Sequence, residues 1–142
     1  MSDGDFYVSA DKKLLDYTWV TNSILGAYWG GWRTHEIIAE SLRNSICFGV
    51  YKRATQTFTH DRQVGFGRVV TDGATVSWVA DILIDPNYQK RGLGKMLMAA
   101  IVEHPSVART VSLLRTRDAA GLYQQFGYEP TDAMRRIPKK DQ

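Results

Sequence analysis

The sequence predicts a mixed α/β domain of the α+β type, with a central, mostly antiparallel mixed sheet flanked by helices. Three observations carry that expectation. Apolar stretches with strand character lie at residues 6–9, 46–51, 63–70 and 76–84, and the turn-forming pair Asp72-Gly73 joins the last two into a hairpin. Other segments repeat apolar residues at helical spacing. Only one strand passes through a glycine turn into a long helix and on to a further strand, so the pattern is not that of a doubly wound parallel sheet.

Each element has a local cause. In the first helix, residues 16–28, Trp19, Val20, Ile24, Ala27 and Tyr28 share one side, and Gly30-Gly31 stops the pattern. Thr34 offers a capping hydroxyl to the second helix, with Glu36 in its first turn. Ile37, Ile38 and Leu42 form that helix's apolar face, and it ends near Asn44. After a polar loop at 52–62 and the hairpin, the third helix, 92–104, turns Leu93, Met96, Leu97, Ala100 and Ile101 inward, with Pro105 just past its end. A strand follows at 110–114. Asp118 is placed to cap a short last helix reaching Gln125, with Gly127 as its stop, and a closing strand is expected at 134–137.

Composition bounds the organisation. With 142 residues, 44% apolar and 23% charged, the chain reads as one domain over residues 1–142 that can bury a core without disulfides. Cys47 is the only cysteine and sits in the apolar run Ile46-Cys47-Phe48-Gly49-Val50-Tyr51, so a buried structural thiol in a reducing cytoplasm is expected. The three histidines and Cys47 show no metal-ligand spacing, and no metal site is predicted. The start, Met1-Ser2-Asp3-Gly4-Asp5, is unlike a signal peptide, and no apolar run approaches the roughly 20 residues of a membrane span. Part of the net charge of +3 lies in Arg135-Arg136-Ile137-Pro138-Lys139-Lys140, which reads as a solvated tail. No aromatic–basic RNA motif or helix-turn-helix supports nucleic-acid binding, while a basic balance suits an anionic cofactor.

The most informative segment is Ile82-Leu83-Ile84-Asp85-Pro86-Asn87-Tyr88-Gln89-Lys90-Arg91-Gly92-Leu93-Gly94-Lys95. It reads as strand, turn and helix start, with Gly92 and Gly94 where the helix begins. Unpaired amides at a helix N-terminus, unobstructed by a Cβ and flanked by Lys90, Arg91 and Lys95, make a seat for a phosphate or pyrophosphate. A P-loop fails, because Gly94-Lys95 is followed by Met96 and position 89 is glutamine; a Rossmann fingerprint lacks its third glycine. A plain tight turn is the other reading of the glycines.

The remaining pattern, Q/R-x-x-G-x-G/A in Gln89-Lys90-Arg91-Gly92-Leu93-Gly94, strongly resembles the GCN5-related N-acetyltransferase (GNAT) superfamily. A second segment, Thr116-Arg117-Asp118-Ala119-Ala120-Gly121-Leu122-Tyr123-Gln124-Gln125-Phe126-Gly127-Tyr128, resembles that family's later helix with L-Y-x-x-x-G-[FY]. The resemblance implies a small single-domain fold whose sheet splays between the family's fourth and fifth strands. It implies acetyl-CoA as co-substrate and a primary amine, on a small molecule or a protein, as acceptor attacking the thioester directly. Gln89, Lys90, Arg91, Gly92, Leu93, Gly94 and Lys95 would hold the pyrophosphate. Ile82, Leu83 and Ile84 would receive the pantetheine arm as an added strand, with the amide of Leu83 or Ile84 polarising the carbonyl. Thr116 stands where relatives contact pantetheine with asparagine. Tyr123 would protonate the leaving sulfur, its other reading being a packed helix tyrosine. Homodimers are common among relatives.

The acceptor side is less well marked. Trp78 occupies the position where many relatives carry a glutamate base, and indole accepts no proton. Asp81 is the nearest carboxylate and would need a strand bulge to turn it into the cleft; the competing reading is a structural carboxylate bonded to a neighbouring loop. His35, Glu36, Glu40 or a water chain are the other candidate bases. Trp29, Trp32 and His35 are candidate acceptor contacts, by stacking or cation–π attraction in the aromatic case. The missing glutamate also keeps open a CoA-binding regulatory or interaction module without turnover. Gly65-Phe66-Gly67 carries little weight by itself.

Overall fold

Six strands form one sheet in sequential order, in a computed structural model that describes residues 2–139. They are β1 (Ser2–Asp3), β2 (Phe6–Ser9), β3 (Ile46–Lys52), β4 (Arg62–Thr71), β5 (Val76–Ile84) and β6 (Val111–Leu113). Neighbours pair antiparallel except β5 and β6, which run parallel after the helical crossover. The helices are α1 (Tyr17–Gly26), α2 (His35–Arg43), α3 (Leu93–Glu103) and α4 (Ala120–Gln124), with 3-10 turns at Lys12–Leu14 and Pro86–Tyr88. Lys140 of the basic tail and Met1 lie outside the described residues.

Two cores lie on opposite faces of the sheet. On one face Leu93, Leu97, Met98 and Ile101 of α3 pack with Phe48, Val50, Val64, Val69 and Val79, and Tyr123 of α4 joins them. Full burial of aliphatic side chains such as Leu97 and Ile101 is worth about 1.5–3 kcal/mol each, and it seats α3 across the strands. On the other face Val20 and Ile24 of α1 and Ile38 and Leu42 of α2 close over Cys47 and Phe66. Cys47 is the buried structural thiol the sequence predicts, its Sγ donating to Leu42 O at 3.5 Å.

The caps explain the helix starts. Asp16 accepts from the Trp19 amide at 3.0 Å and Thr34 from the Ile37 amide at 3.1 Å. Three expectations are corrected. Ile37 is exposed, because α2 buries only Ile38 and Leu42. Asp118 does not cap α4; Thr116 Oγ1 accepts from the Ala119 amide at 2.9 Å and tightens that turn instead. The strand expected at 134–137 does not form, and Met134 and Ile137 are fully or largely exposed, with no apolar face to bury.

The sheet opens between β5 and β6. Their ladder covers only Val76–Val111, Ser77–Ser112 and Trp78–Leu113, so among the described residues 79–84 of β5 have no strand partner on that flank. The closed apex is pinned by hydroxyls, with Ser77 Oγ 2.6 Å from Thr110 Oγ1 and donating to Thr71 Oγ1 at 2.8 Å. No helix among the described residues is long and apolar enough to cross a membrane.

Candidate active site

The open flank of β5 begins at a bulge. Phe66 pairs with Leu83 but Arg68 pairs with Ala80, so Asp81 and Ile82 together face Gly67. Asp81 takes φ 57°, a left-handed conformation that costs a non-glycine residue roughly 1–2 kcal/mol. Gly67 permits the bulge: a Cβ there would lie 2.6 Å from Cδ1 of Ile82. Gly65 likewise gives Ile84 Cδ1 its space. Both glycines, of little weight in the sequence, carry the usual meaning of glycine inside a strand, a bulge or a close approach.

Register sorts the β5 amides. The Asp85 amide donates to Val64 O at 2.7 Å, and Leu83 pairs with Phe66. Alternation therefore directs the Leu83 amide into the β4 ladder and the Ile84 amide out to the open flank. Of the two amides expected to polarise a carbonyl, the geometry leaves Ile84. The Ile84 carbonyl faces outward too and accepts from Gln89 Nε2 at 3.3 Å, which folds the following turn against the strand end. Ile82 and Ile84 send their side chains toward α3, while Leu83 packs with the α1–α2 core.

That turn has an unusual backbone. Asp85 caps Pro86–Tyr88 by accepting from the Asn87 amide at 2.9 Å. Lys90 (φ 64°) and Gly92 (φ 78°) are both left-handed. Among the described residues no amide from Gln89 to Lys95 donates to a protein acceptor, and the first bond back into the turn is Met96 N to Gly92 O at 3.1 Å. The result is a concave run of free N–H groups capped by α3's positive end, an anion seat by construction. Nothing lies within 4 Å of a Cβ built on Gly92, whereas one on Gly94 would touch Leu122 Cδ2 at 3.5 Å. Cations gather around the Tyr88 ring, with Arg91, Lys52 and Arg62 at 5.2, 5.7 and 5.9 Å from its centroid. Lys52 and Arg62 come from the ends of β3 and β4, which the motif could not reveal.

Tyr123 is the residue α4 buries, and Leu122 beside it packs against the core that holds Leu93 and Met96, which ties α4 to the start of α3. Burial pushes the Tyr123 phenol above its usual range, helped by the neighbouring Tyr128, Asp118 and Tyr28. The group is therefore a neutral proton donor at physiological pH. Thr116 is exposed, and its hydroxyl oxygen already accepts the Ala119 amide.

Asp81 does not act as the sequence reading of a base requires. Arg33 donates to it in a fork, Nη1 to Oδ2 at 2.7 Å and Nη2 to Oδ1 at 3.0 Å, and Arg68 Nε donates to Oδ2 at 2.6 Å. Burial alone would raise this carboxyl, but the hydrogen bonds and charges of the two guanidiniums outweigh it and hold Asp81 below the usual carboxylate range. A carboxylate so committed is a poor proton acceptor, which corrects the expectation of catalysis by Asp81. Arg68 also donates to Ser45 Oγ at 3.1 Å, and Ser45 to Ser41 O at 2.6 Å, carrying the network into α2. The competing reading, a structural carboxylate bound to a nearby loop, is the one observed.

The acceptor candidates are dispersed around this network. Trp29 is half-buried against the α1–α2 core, and Trp32 is 71% exposed. Their rings are already met by the chain's own cation, Arg33 Cζ lying 5.4 Å from Trp29 and 5.6 Å from Trp32. His35 is exposed at the start of α2 without a contact to this network, and Glu40 is engaged by Arg43 and Asn44. Trp78 lies beside Val70 on the sheet, both partly exposed, and Arg68 stands between that apolar strip and buried Phe66.

Comparison with known proteins agrees with this geometry. The family model of the acetyltransferase (GNAT) domain matches residues 43–130. A crystal structure of a GNAT-family protein from Xanthomonas campestris pv. campestris superposes with a TM-score of 0.80, at 30% identity and 94% coverage of each chain. A Staphylococcus aureus protein gives 0.69 at 26% identity, covering 94% of this chain and 99% of its own. A Gibberella zeae protein named as an acetyltransferase is 28% identical over 113 residues, covering 70% of this chain. The matched stretch spans 64% of that fungal protein and 37% of a Gracilaria tenuistipitata relative, so less than two thirds of either.

Proposed function

We propose, from the premise that this chain belongs to the GNAT acetyltransferase family, that it transfers an acetyl group from acetyl-CoA to a primary amine. The observation that carries the reading is the free-amide turn at residues 89–95 set at the end of an unpaired strand flank. Pyrophosphate suits the turn, and a pantetheine arm with two amides suits the flank of Ile82–Ile84, where it pairs as an added strand.

The mechanism follows from what each group can do. The amine nitrogen attacks the thioester carbonyl carbon while the Ile84 amide stabilises the charge growing on oxygen. As the carbon–sulfur bond breaks, Tyr123 gives its phenolic proton to the departing sulfur and regains one from solvent. The proton lost by the amine leaves through water, because Trp78 accepts none and Asp81 is committed to two guanidiniums. Residues 1–142 act as one acetyltransferase domain. The free, buried Cys47 fits a reducing compartment, and we read that compartment as the cytoplasm.

Release of free CoA thiol in the presence of an amine panel is the direct test. Tyr123→Phe should lower kcat by about a hundredfold and leave acetyl-CoA affinity within about twofold. Unaltered turnover in that variant removes Tyr123 from the chemistry.

A further inference from the structure

The segment between α1 and α2, residues 28–33, is a strap tied down at three points. Gly30 meets α1 so closely that a Cβ there would lie 2.2 Å from Ile24 O, and successive turns bond Ala27 to Ile24, Gly30 to Ala27 and Arg33 to Gly30. At one end Arg33 forks onto Asp81, 48 residues away in sequence, with the Arg33 side chain 13% and the Asp81 side chain 3% exposed. At the other end Tyr28 lies under Arg117 of the β6–α4 loop, 4.0 Å from ring centroid to guanidinium, and Tyr28 is among the groups acting on Tyr123. The strap therefore bridges from β5 to the loop after β6, across the opening of the sheet.

We infer that the Arg33–Asp81 pair is the positioning device for the acceptor, an inference that rests on the acetyl-transfer reading above. Asp81 is the residue whose left-handed backbone makes the bulge, and its carboxylate also holds the strap. The same residue thus sets the opening for the donor through its backbone and the wall for the acceptor through its carboxylate. A bidentate fork fixes orientation as well as distance, and the cation–π approach of Arg33 to Trp29 and Trp32 links it to these two rings, the aromatic wall. Arg33 and Asp81 act through the wall and are positioning residues. Below it lie Arg68 and the apolar strip of Val70 and Trp78. Two guanidiniums against one carboxylate leave this floor with one net positive charge, which selects a single amine carried on an apolar or anionic group over a polyamine.

The test uses Arg33→Gln in the full chain, because Asp81 keeps Arg68 and no buried charge is left alone. Probes are phenethylamine, phenylalanine, glucosamine and spermidine. The expected result is an acceptor KM raised about tenfold with acetyl-CoA affinity within about twofold, and relative activity toward spermidine improved. Arg33→Lys should recover only part of the loss, since it restores charge without the fork. Gly30→Ala displaces the strap without changing charge, so it should raise the acceptor KM without improving spermidine. An unchanged acceptor KM in Arg33→Gln, or donor and acceptor constants that worsen together, overturns the inference. Hydrogen–deuterium exchange of the free protein decides independently of any acceptor: amides at 28–33 should exchange about tenfold faster in Arg33→Gln while those of β3 do not change. Unchanged exchange at 28–33 overturns the strap. Failure of the wild type to bind acetyl-CoA sinks the transferase reading, and with it the acceptor role, whatever the exchange shows.

Discussion

The turn at residues 89–95 and the strap at residues 28–33 border the same opening of the sheet, and they are held by different means. The turn is made of backbone: two left-handed residues two apart, a run of free amides and the start of α3. Its recognition of a phosphate needs almost no side chain. Beyond its backbone turns against α1, the strap is held by side chains gathered from the α1–α2 segment, β4, β5 and the β6–α4 loop, and its key contact joins residues 48 apart. A backbone site tolerates change around it and fails when its conformation or charge is altered. A side-chain site fails by degrees as its partners are removed. Perturbing the two sides separately should therefore break different constants.

The largest expected effect is on the turn. The Cβ of Gly92→Glu meets nothing within 4 Å, and the substitution sets a carboxylate beside the anion seat at a left-handed position that prefers glycine. Two unit charges about 4 Å apart at an effective dielectric of 20 repel by about 4 kcal/mol, near a thousandfold in affinity. Calorimetric titration with acetyl-CoA checks it, and binding within about tenfold of wild type would remove the seat from residues 89–95.

Next is Asp81→Asn, which strikes the acceptor side. Removing the carboxylate leaves Arg33 and Arg68 facing each other, and breaking a buried pair this way costs about 3–5 kcal/mol at neutral pH. The sign with pH follows from the depressed native value. Because Asp81 titrates lower when folded, its contribution is complete above the unfolded value near 3.9 and is lost as the pH falls through the native one. Wild type and variant should converge in urea denaturation as the pH is lowered below about 4. A gap that stays constant down to pH 2 would mean that folding does not lower the Asp81 carboxyl, and that the two guanidiniums do not hold it as a carboxylate.

The same division explains what the sequence disclosed. The limits of β2 to β5 and of α1 to α3 are legible to within about two residues because Asp16, Thr34, Gly92 and Asp72-Gly73 act on their own neighbours, whereas the two-residue β1 is too short to leave a pattern. The turn was legible because Gly92 and its flanking cations are contiguous. Asp81 is visible as a carboxylate, but base and structural carboxylate stay open in the sequence, since its partners Arg33 and Arg68 become neighbours only through folding. Gly65 and Gly67 were visible, but their meaning depends on Ile84 and Ile82 lying across the ladder. The absent strand at 134–137 shows the converse, a β-like apolar pair with no face to cover.

Gly65→Ala probes where the two sides meet. A Cβ there would lie 2.8 Å from both Ile84 Cδ1 and Val50 Cγ2 and 2.9 Å from Val50 Cβ, so the strands must shift. Overpacking of this kind costs about 1–3 kcal/mol. The displaced Ile84 should also weaken acetyl-CoA binding more than it changes acceptor KM. The reverse ratio would argue that this stretch of β5 serves the acceptor.

Gly94→Ala should have the smallest effect, and it tests how deep the seat runs. Its Cβ would meet Leu122 Cδ2 at an ordinary contact of 3.5 Å, and Gly94 is helical, not left-handed. Alanine there should stabilise the chain by up to about 1 kcal/mol through helix propensity and a less flexible unfolded state. If the anion rests on the left-handed residues of the turn, acetyl-CoA affinity should stay within about threefold of wild type while Gly92→Glu loses it. A tenfold loss in Gly94→Ala would instead place the pyrophosphate one helical position deeper, against the α3–α4 contact that Leu122 makes. The side-chain neighbourhood of Tyr123 would then belong to the donor seat, and the sharp division between a backbone-built donor side and a side-chain-built acceptor side would have to be redrawn at α4.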